Sequence, residues 1–308
     1  VAVEFNSDGT KMFVIGVSGD DVNEYTLSSA FDVSTATYSQ NFSVAGQENF
    51  PQGLRFNSNG TKMFVVGSAG DDVNEYNLTT GFDVSTASYS QNFSVSSQDN
   101  DPRGIAFNSD GTKMFMVGQT TDTVYQYSLT TGFDLSTASY ASVSFSVASQ
   151  DTDPTDITFS SDGTVMFICG QQGTDEVHRY TLSTGFDLST ASFDISFSVA
   201  SQETAVEGIA FNNDGSKMYI IGQTGQSVYQ YSTVISNLND STAYAMSLKV
   251  VQDSGASGYT VTWPTSVDWP AATAPTLTAT ASAVDQFVFY TYDGGTTWYG
   301  FTAGQALG

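Results

Sequence analysis

An all-β chain of four-stranded units stacked around a ring is the fold class that this sequence predicts, and three observations predict it. The phrase "FNSDGTKMFVIG" at Phe5 returns, lightly altered, at Phe56, Phe107, Phe159 and Phe211, spaced by 51 or 52 residues. Each unit holds several short runs that alternate apolar and polar residues with period two, and none carries the 3.6-residue period of an amphipathic helix. A repeat near 50 residues with several strands per unit is the signature of a β-propeller, because one such unit cannot bury both of its faces and needs neighbours to cover them.

The third unit shows the elements in order. "RGIAF" (103–107) is a short apolar strand, "NSDG" turns the chain, and "KMFMVG" (113–118) returns as a second strand. "TVYQYSL" (123–129) and "VSFSV" (143–147) alternate as third and fourth strands. The Asp-Gly or Asn-Gly of the first turn accepts positive φ, as a tight hairpin requires. Between the third and fourth strands lies a long connection, "TTGFDVSTASYSQN" (79–92) and its relatives, expected to be an outer hairpin or a pinned loop. The fifth unit stops after "SVYQYS" (227–232) without the "FSV" of the others. Five blades are therefore expected, with the ring closed by a strand from upstream of Val1; a larger, truncated ring is the alternative.

Composition shifts near residues 232–242, which predicts a β-propeller over 1–235 and a small β-rich domain over 236–308. All three tryptophans (Trp263, Trp269, Trp298) and three of the six prolines lie beyond the shift. Strands are predicted at 245–252, 258–263, 276–281 and 286–292. A domain of about 70 residues is small enough to want a partner surface, so an oligomerisation or tip module is expected.

With 32 acidic against 8 basic residues and a net charge of −24, the surface repels phosphate backbones and anionic membranes, which argues against nucleic-acid partners. A single cysteine, Cys169, excludes an internal disulfide framework. It falls in the slot held by Ile15, Val66, Val117 and Ile221, and so reads as a core residue. No run approaches the roughly 18 apolar residues of a membrane helix, and no membrane insertion is expected. The opening "VAVEF" lies inside a repeat, as a fragment or trimmed start would.

"VTWPTSVDWPAATAPTLT" (261–278) followed by "DQFVFYTYDGGTTWYGF" (285–301) resembles the C-terminal ending of tail-fibre and other structural proteins of bacteriophages, marine ones especially. Those endings carry Gly-Gly where this chain has Ala271-Ala272. The preceding units resemble propeller repeats of such phage proteins and of some bacterial surface proteins. The resemblance implies a non-enzymatic virion structural protein of the tail-fibre or host-attachment kind, displaying loops to a cell-surface glycan or protein. It also implies other virion proteins as partners, a place in the virion, and trimers by analogy with fibres. A bacterial surface adhesin or filament subunit is the alternative, and a polysaccharide depolymerase is a third reading.

"TYDGGTTW" (291–298) fits a hairpin staple in which Asp293 bonds turn amides, Gly295 makes the turn and Trp298 packs beneath; its role is structural. Three arginines (Arg55, Arg103, Arg179) do not form the cluster that a sialidase needs for its substrate carboxylate. "GQQGTDEVHRY" (170–180) breaks the repeat in length, charge and residue type together, with His178 standing where other units have Asn or Tyr. Function is grafted where a regular scaffold departs from its pattern, so Asp175, Glu176, His178 and Arg179, with nearby Asp151 and Asp153, are candidate ligand-binding residues. Solvated drift on an exposed strand is the plainer reading of the same residues. The loops sharing that face are acidic, with amides interleaved, which suits Ca²⁺ or sugar hydroxyls. Asp20, Asp21, Asp71 and Asp72 are the candidate Ca²⁺ ligands, and no other cofactor is expected. Because the acids recur from unit to unit, no unique catalytic pair stands out, and no nucleophile elbow, phosphate loop or triad is present.

Overall fold

The structure, a computed structural model, describes residues 1–308 apart from 172–174, 234–243, 256–257, 259, 292–295 and 308. It divides into two units, Val1–Thr233 and Val234–Gly308. The first is a β-propeller. Four of its sheets have four antiparallel strands each: β1–β4 (Ala2–Phe5, Lys11–Gly16, Asp21–Leu27, Ala36–Ser43), β5–β8 (Pro51–Phe56, Lys62–Gly67, Asp72–Leu78, Ala87–Ser94), β9–β12 (Pro102–Phe107, Lys113–Gly118, Thr123–Leu129, Ala138–Ser146) and β13–β16 (Pro154–Phe159, Val165–Gly170, Glu176–Leu182, Ala191–Ser198). The fifth sheet has three, β17–β19 (Val206–Phe211, Lys217–Gly222, Val228–Ser232). The inner strands β1, β5, β9, β13 and β17 contact one another in succession, and β17 returns to β1.

Local chemistry explains the hairpins. Gly9 sits at φ 70°, and the amide of Thr10 donates to Asp8 Oδ1 while that of Lys11 donates to Asn6 Oδ1. A Cβ on Gly9 would also lie 2.2 Å from the Phe31 ring, so both conformation and packing demand glycine there. The long connection is a pinned loop. In the first sheet Asp32 caps a single 3₁₀ turn (Val33–Thr35) by accepting from Ser34 N, and the same turn recurs in the next three sheets.

Blade faces are joined by an aromatic wedge and a lysine clasp. Phe82 packs on Phe56 (5.4 Å between centroids), which packs on Phe13 of the preceding blade (4.6 Å). Burying each such ring contributes about 1.5–3 kcal/mol. Lys11 Nζ donates to Phe82 O, Lys62 to Phe133 O, Lys113 to Phe186 O and Lys217 to Phe31 O. The last of these closes the ring, along with Tyr219 OH to Phe31 O (2.7 Å) and a core in which Ala210, Tyr219 and Ile221 meet Val3, Phe5 and Met12. The ring thus closes by packing of the fifth sheet on the first. Among the described residues β19 pairs with β18 and with no fourth strand.

The fourth blade breaks the clasp, with Val165 in place of lysine. Here Thr155 Oγ1 donates to Val206 O (3.0 Å) and Asp156 Oδ2 accepts from Ile209 N (3.1 Å), tying β13 to β17. Cys169 is fully buried in the core that joins these two sheets.

The C-terminal unit is one sheet in the order β20 (Tyr244–Val251), β22 (Val284–Thr291), β23 (Trp298–Leu307), β21 (Val267–Asp268). Trp269, Phe287 and Phe289 form its core, with Trp263 and Trp298 packed against it. The strands expected at 258–263 and 276–281 are absent among the described residues. Instead Trp263 turns inward, its Nε1 donating to Pro275 O, and Asp285 holds the chain at Thr278 N (2.6 Å). Pro264, Pro270 and Pro275 interrupt any ladder in this stretch. Asp293 and Gly295 of the expected hairpin staple lie outside the described residues, and Trp298 packs against the core of this unit.

Candidate functional site

The expected ligand-binding residues separate into three places. His178 is buried rather than on an exposed strand face. Its Nδ1 is 2.8 Å from Ser196 Oγ, its Nε2 is 3.4 Å from Asp151 Oδ2, and Glu176 Oε2 is 4.0 Å away. Arg179 is exposed on another face and pairs with Asp194 (3.1 Å). Asp153 lies at the axis, and Asp175 is partly exposed with a left-handed backbone (φ 48°).

The acidic loops prove to be mostly structural. Glu48, buried, accepts from Phe50 N (2.7 Å), Ala69 N and Gly70 N; Asp99 and Glu203 bind the corresponding amides of their blades. Each carboxylate thus ties the loop leaving one blade to the loop between the second and third strands of the next. Asp151, which accepts from Asp153 N (2.7 Å), holds the same position. Asp20, Asp71, Asp122 and Asp175 share φ values of 48–51°, and their carbonyls accept the amides of Val44, Val95, Val147 and Val199. Asp21 accepts from Asn41 Nδ2 (2.8 Å) and Asp72 from both Asn74 and Asn92. Of the expected Ca²⁺ ligands, Asp21 and Asp72 thus have their carboxylates on asparagine amides, whereas Asp20 and Asp71 are fixed through their backbone carbonyls, and Asp20 Oδ1 is buried without a hydrogen bond. Among the described residues no group of three His, Cys, Asp or Glu side chains is placed to hold a metal ion.

What the structure assembles instead is a polar mouth at the axis, on the face where those loops gather. The cavity has a volume of about 260 Å³ and is lined by Phe50, Gln52, Arg103, Gln119, Asp153, Gln171, Glu207 and Gln223, with Val1 and Val17. Gln119, Gln171 and Gln223 occupy one column of the repeat, directly after the second strand of blades three, four and five, where the first two blades have Val17 and Ser68. Arg103 and Glu207 share a second column, on the inner strands.

Their side chains form two hydrogen-bonded chains. Asp101 pairs with Arg103 (2.9 Å), Arg103 donates to Gln119 Oε1, and Gln119 Nε2 donates to Asp153. Gln171 and Gln223 both donate to Glu207 Oε1. Burial raises the Asp101 and Asp153 carboxyls above their ordinary range, with Arg103 pulling the other way. Phe50, 51 % exposed, stands at the rim. The mouth therefore offers amide and guanidinium donors, carboxylate acceptors and one open phenyl ring. Of these residues the sequence reading singled out only Asp153 as a ligand candidate. The glutamine column was visible as a recurring departure from Val17 and Ser68.

No protein-family profile and no curated protein matches the sequence. Similar solved structures include a 6-phosphogluconolactonase candidate from Bacteroides uniformis ATCC 8492 (13 % identity, TM-score 0.48), of which this chain covers 66 %, just under two thirds, over 76 % of its own length. A functionally unknown protein from Desulfotomaculum acetoxidans DSM 771 is 13 % identical with a TM-score of 0.46, covering 75 % of this chain and 68 % of that one. A protein from Lactobacillus plantarum is 11 % identical with a TM-score of 0.47, covering 76 % and 67 %. These likenesses are of fold.

Proposed function

We propose that this chain is a non-enzymatic receptor-binding protein, a tail-fibre or host-attachment component of a bacteriophage virion, whose axial mouth holds a sugar of a host-surface glycan. The observation that carries the reading is the mouth itself: donors and acceptors of Arg103, Gln119, Gln171, Gln223, Asp153 and Glu207 converge beside an exposed phenyl ring. Sugars present hydroxyls around an apolar ring of C–H bonds, and a concave site with a few fixed polar groups and an aromatic wall matches both. The amides and carboxylates already hold one another in place, so little side-chain freedom remains to be lost on binding. The C-terminal unit exposes Met246, Leu248, Tyr290 and Phe301, which supports its role as an oligomerisation module, trimeric by analogy with fibres. The phage-like ending supports the virion setting.

The test is an array of bacterial surface polysaccharides probed with the whole chain and with a Phe50→Ala/Arg103→Met double variant. Binding to a defined glycan that the double variant loses at least tenfold is expected. Binding that the variant retains in full, or none to any glycan, would sink the reading, and release of oligosaccharide from a bound polymer would replace it with a depolymerase.

A further inference from the structure

The axis has a second mouth, at the end where the first hairpins of the blades gather, and nothing in the glycan reading uses it. A cavity of about 500 Å³ opens there. Its walls include Phe56, Phe107, Phe159 and Phe211, all partly exposed, and its floor includes Glu4, Arg55, Ala106, Thr158 and Ala210. The floor residues occupy one column of the repeat, and Glu4 is its only acid.

Three departures from the repeat meet at this floor. Asp156 stands where three other blades have glycine (Gly53, Gly104, Gly208), and it is 1 % exposed. Arg55 spans the channel from β5 to reach it, its Nη2 3.1 and 3.2 Å from the two Asp156 oxygens and 2.7 Å from Ile157 O. Arg55 Nη1 donates to Leu54 O and lies 3.2 Å from Glu4 Oε2. The guanidinium is thus already matched by Asp156, and Glu4 is a surplus anion. Its side chain is 24 % exposed, and among the described residues that ion pair is its only polar contact. The charged groups facing Glu4 are Arg55 on β5 and Asp156 on β13, while β9 and β17 present Ala106 and Ala210.

We propose that this bowl is a binding site for an alkylammonium group, with the aliphatic stem among the phenylalanine rings and the ammonium on Glu4. Phenyl walls cover methylene groups well and attract a cation at their faces, and a carboxylate lacking a full partner at the bottom fixes the charged end. A free alkylamine and a lysine side chain share this chemistry. The site is independent of the glycan mouth, from which the Arg55–Asp156 bridge separates it. Burial pushes the Glu4 carboxyl up to about 7, so binding strengthens as pH rises through neutrality. If only the ionised carboxylate binds, affinity at pH 8 exceeds that at pH 6 by about tenfold.

The experiment is calorimetric titration of the whole chain with n-butylammonium, with Nα-acetyl-lysine methylamide, and with neutral n-butanol, at pH 6 and pH 8. The two ammonium probes mark the two sources, and binding of either, stronger at pH 8, supports the site. Glu4→Gln should abolish it, and Thr158→Leu, which keeps every charge but fills the floor, should weaken it at least tenfold. Arg103→Met, at the other mouth, should leave it unchanged. Butanol binding as well as butylammonium, equal binding at the two pH values, or full binding by Thr158→Leu would each overturn the proposal. Should Glu4→Gln fail to fold, Thr158→Leu and the pH comparison still decide.

Discussion

Glu4→Gln is also the sharpest test of the energetics at the axis, because it should stabilise the fold. Burial raises the Glu4 carboxyl from its ordinary 4.5 to about 7, with Arg55 pulling it down and Asp156 pushing it further up. The folded state therefore holds the Glu4 proton to higher pH than the unfolded chain does. Stability from this residue is full below about pH 4.5 and is lost progressively as pH rises to about 7, a difference of about 3 kcal/mol. Glutamine mimics the protonated acid at every pH, and Arg55 keeps its two bonds to Asp156. Urea unfolding at pH 4 should thus give nearly equal stability for the two proteins, while at pH 8 the variant should be more stable by about 2–3 kcal/mol. The wild type proving more stable at pH 8 would show that the Arg55–Glu4 pair outweighs the desolvation of the carboxylate, and the reasoning would fail.

Other consequences follow from the blade junctions. Glu75, 1 % exposed, accepts from Lys62 Nζ (2.7 Å) and Leu135 N (3.0 Å), so Glu75→Ala leaves Lys62 with Phe133 O alone, orphans the Leu135 amide across a blade boundary and should cost about 3 kcal/mol in urea unfolding. Gln126→Ala, at the same position of the next blade, should cost under about 1.5 kcal/mol, since Gln126 Oε1 is buried without a hydrogen bond. Burial pushes the Cys169 thiol well above its ordinary range, so a thiol reagent at pH 8 should label the native protein no faster than it unfolds. Amide exchange should be faster in β19 than in β3, β7, β11 or β15, each of which is paired on both edges.

The blades were legible because their signals are local. Asp-Gly turns, period-two runs and the Asp-x-Ser-Thr connection each act within a few residues, and repetition confirms them. Ring closure was less so: Lys217, Tyr219 and the first sheet pack together although they lie at opposite ends of the propeller's sequence, while the strand expected from upstream of Val1 lies outside the sequence and β19 has no fourth strand beside it among the described residues. Alternation misled at 258–263 and 276–281, where tryptophan burial and three prolines outweigh strand propensity. The acidic loops looked like a ligand surface because sequence shows charge but not its hydrogen bonds, and Glu48, Asp99 and Glu203 turn their carboxylates inward onto backbone amides. The axial clusters are built from residues about 50 positions apart that meet only when the ring closes. Compared column by column, the units do betray them: Asp156 among glycines, Arg55 and Glu4 among small residues, and glutamine three times over at 119, 171 and 223.

The most direct test of the account is a glycan titration of the ¹⁵N-labelled chain, followed at the side-chain amides of glutamine. Perturbation of Gln119, Gln171 and Gln223, with Gln126 and Gln230 on the third strands unmoved, is the predicted result. A glycan that binds while those three amides stay still, or that shifts only residues of the outer strands, would contradict a receptor site at the axial mouth.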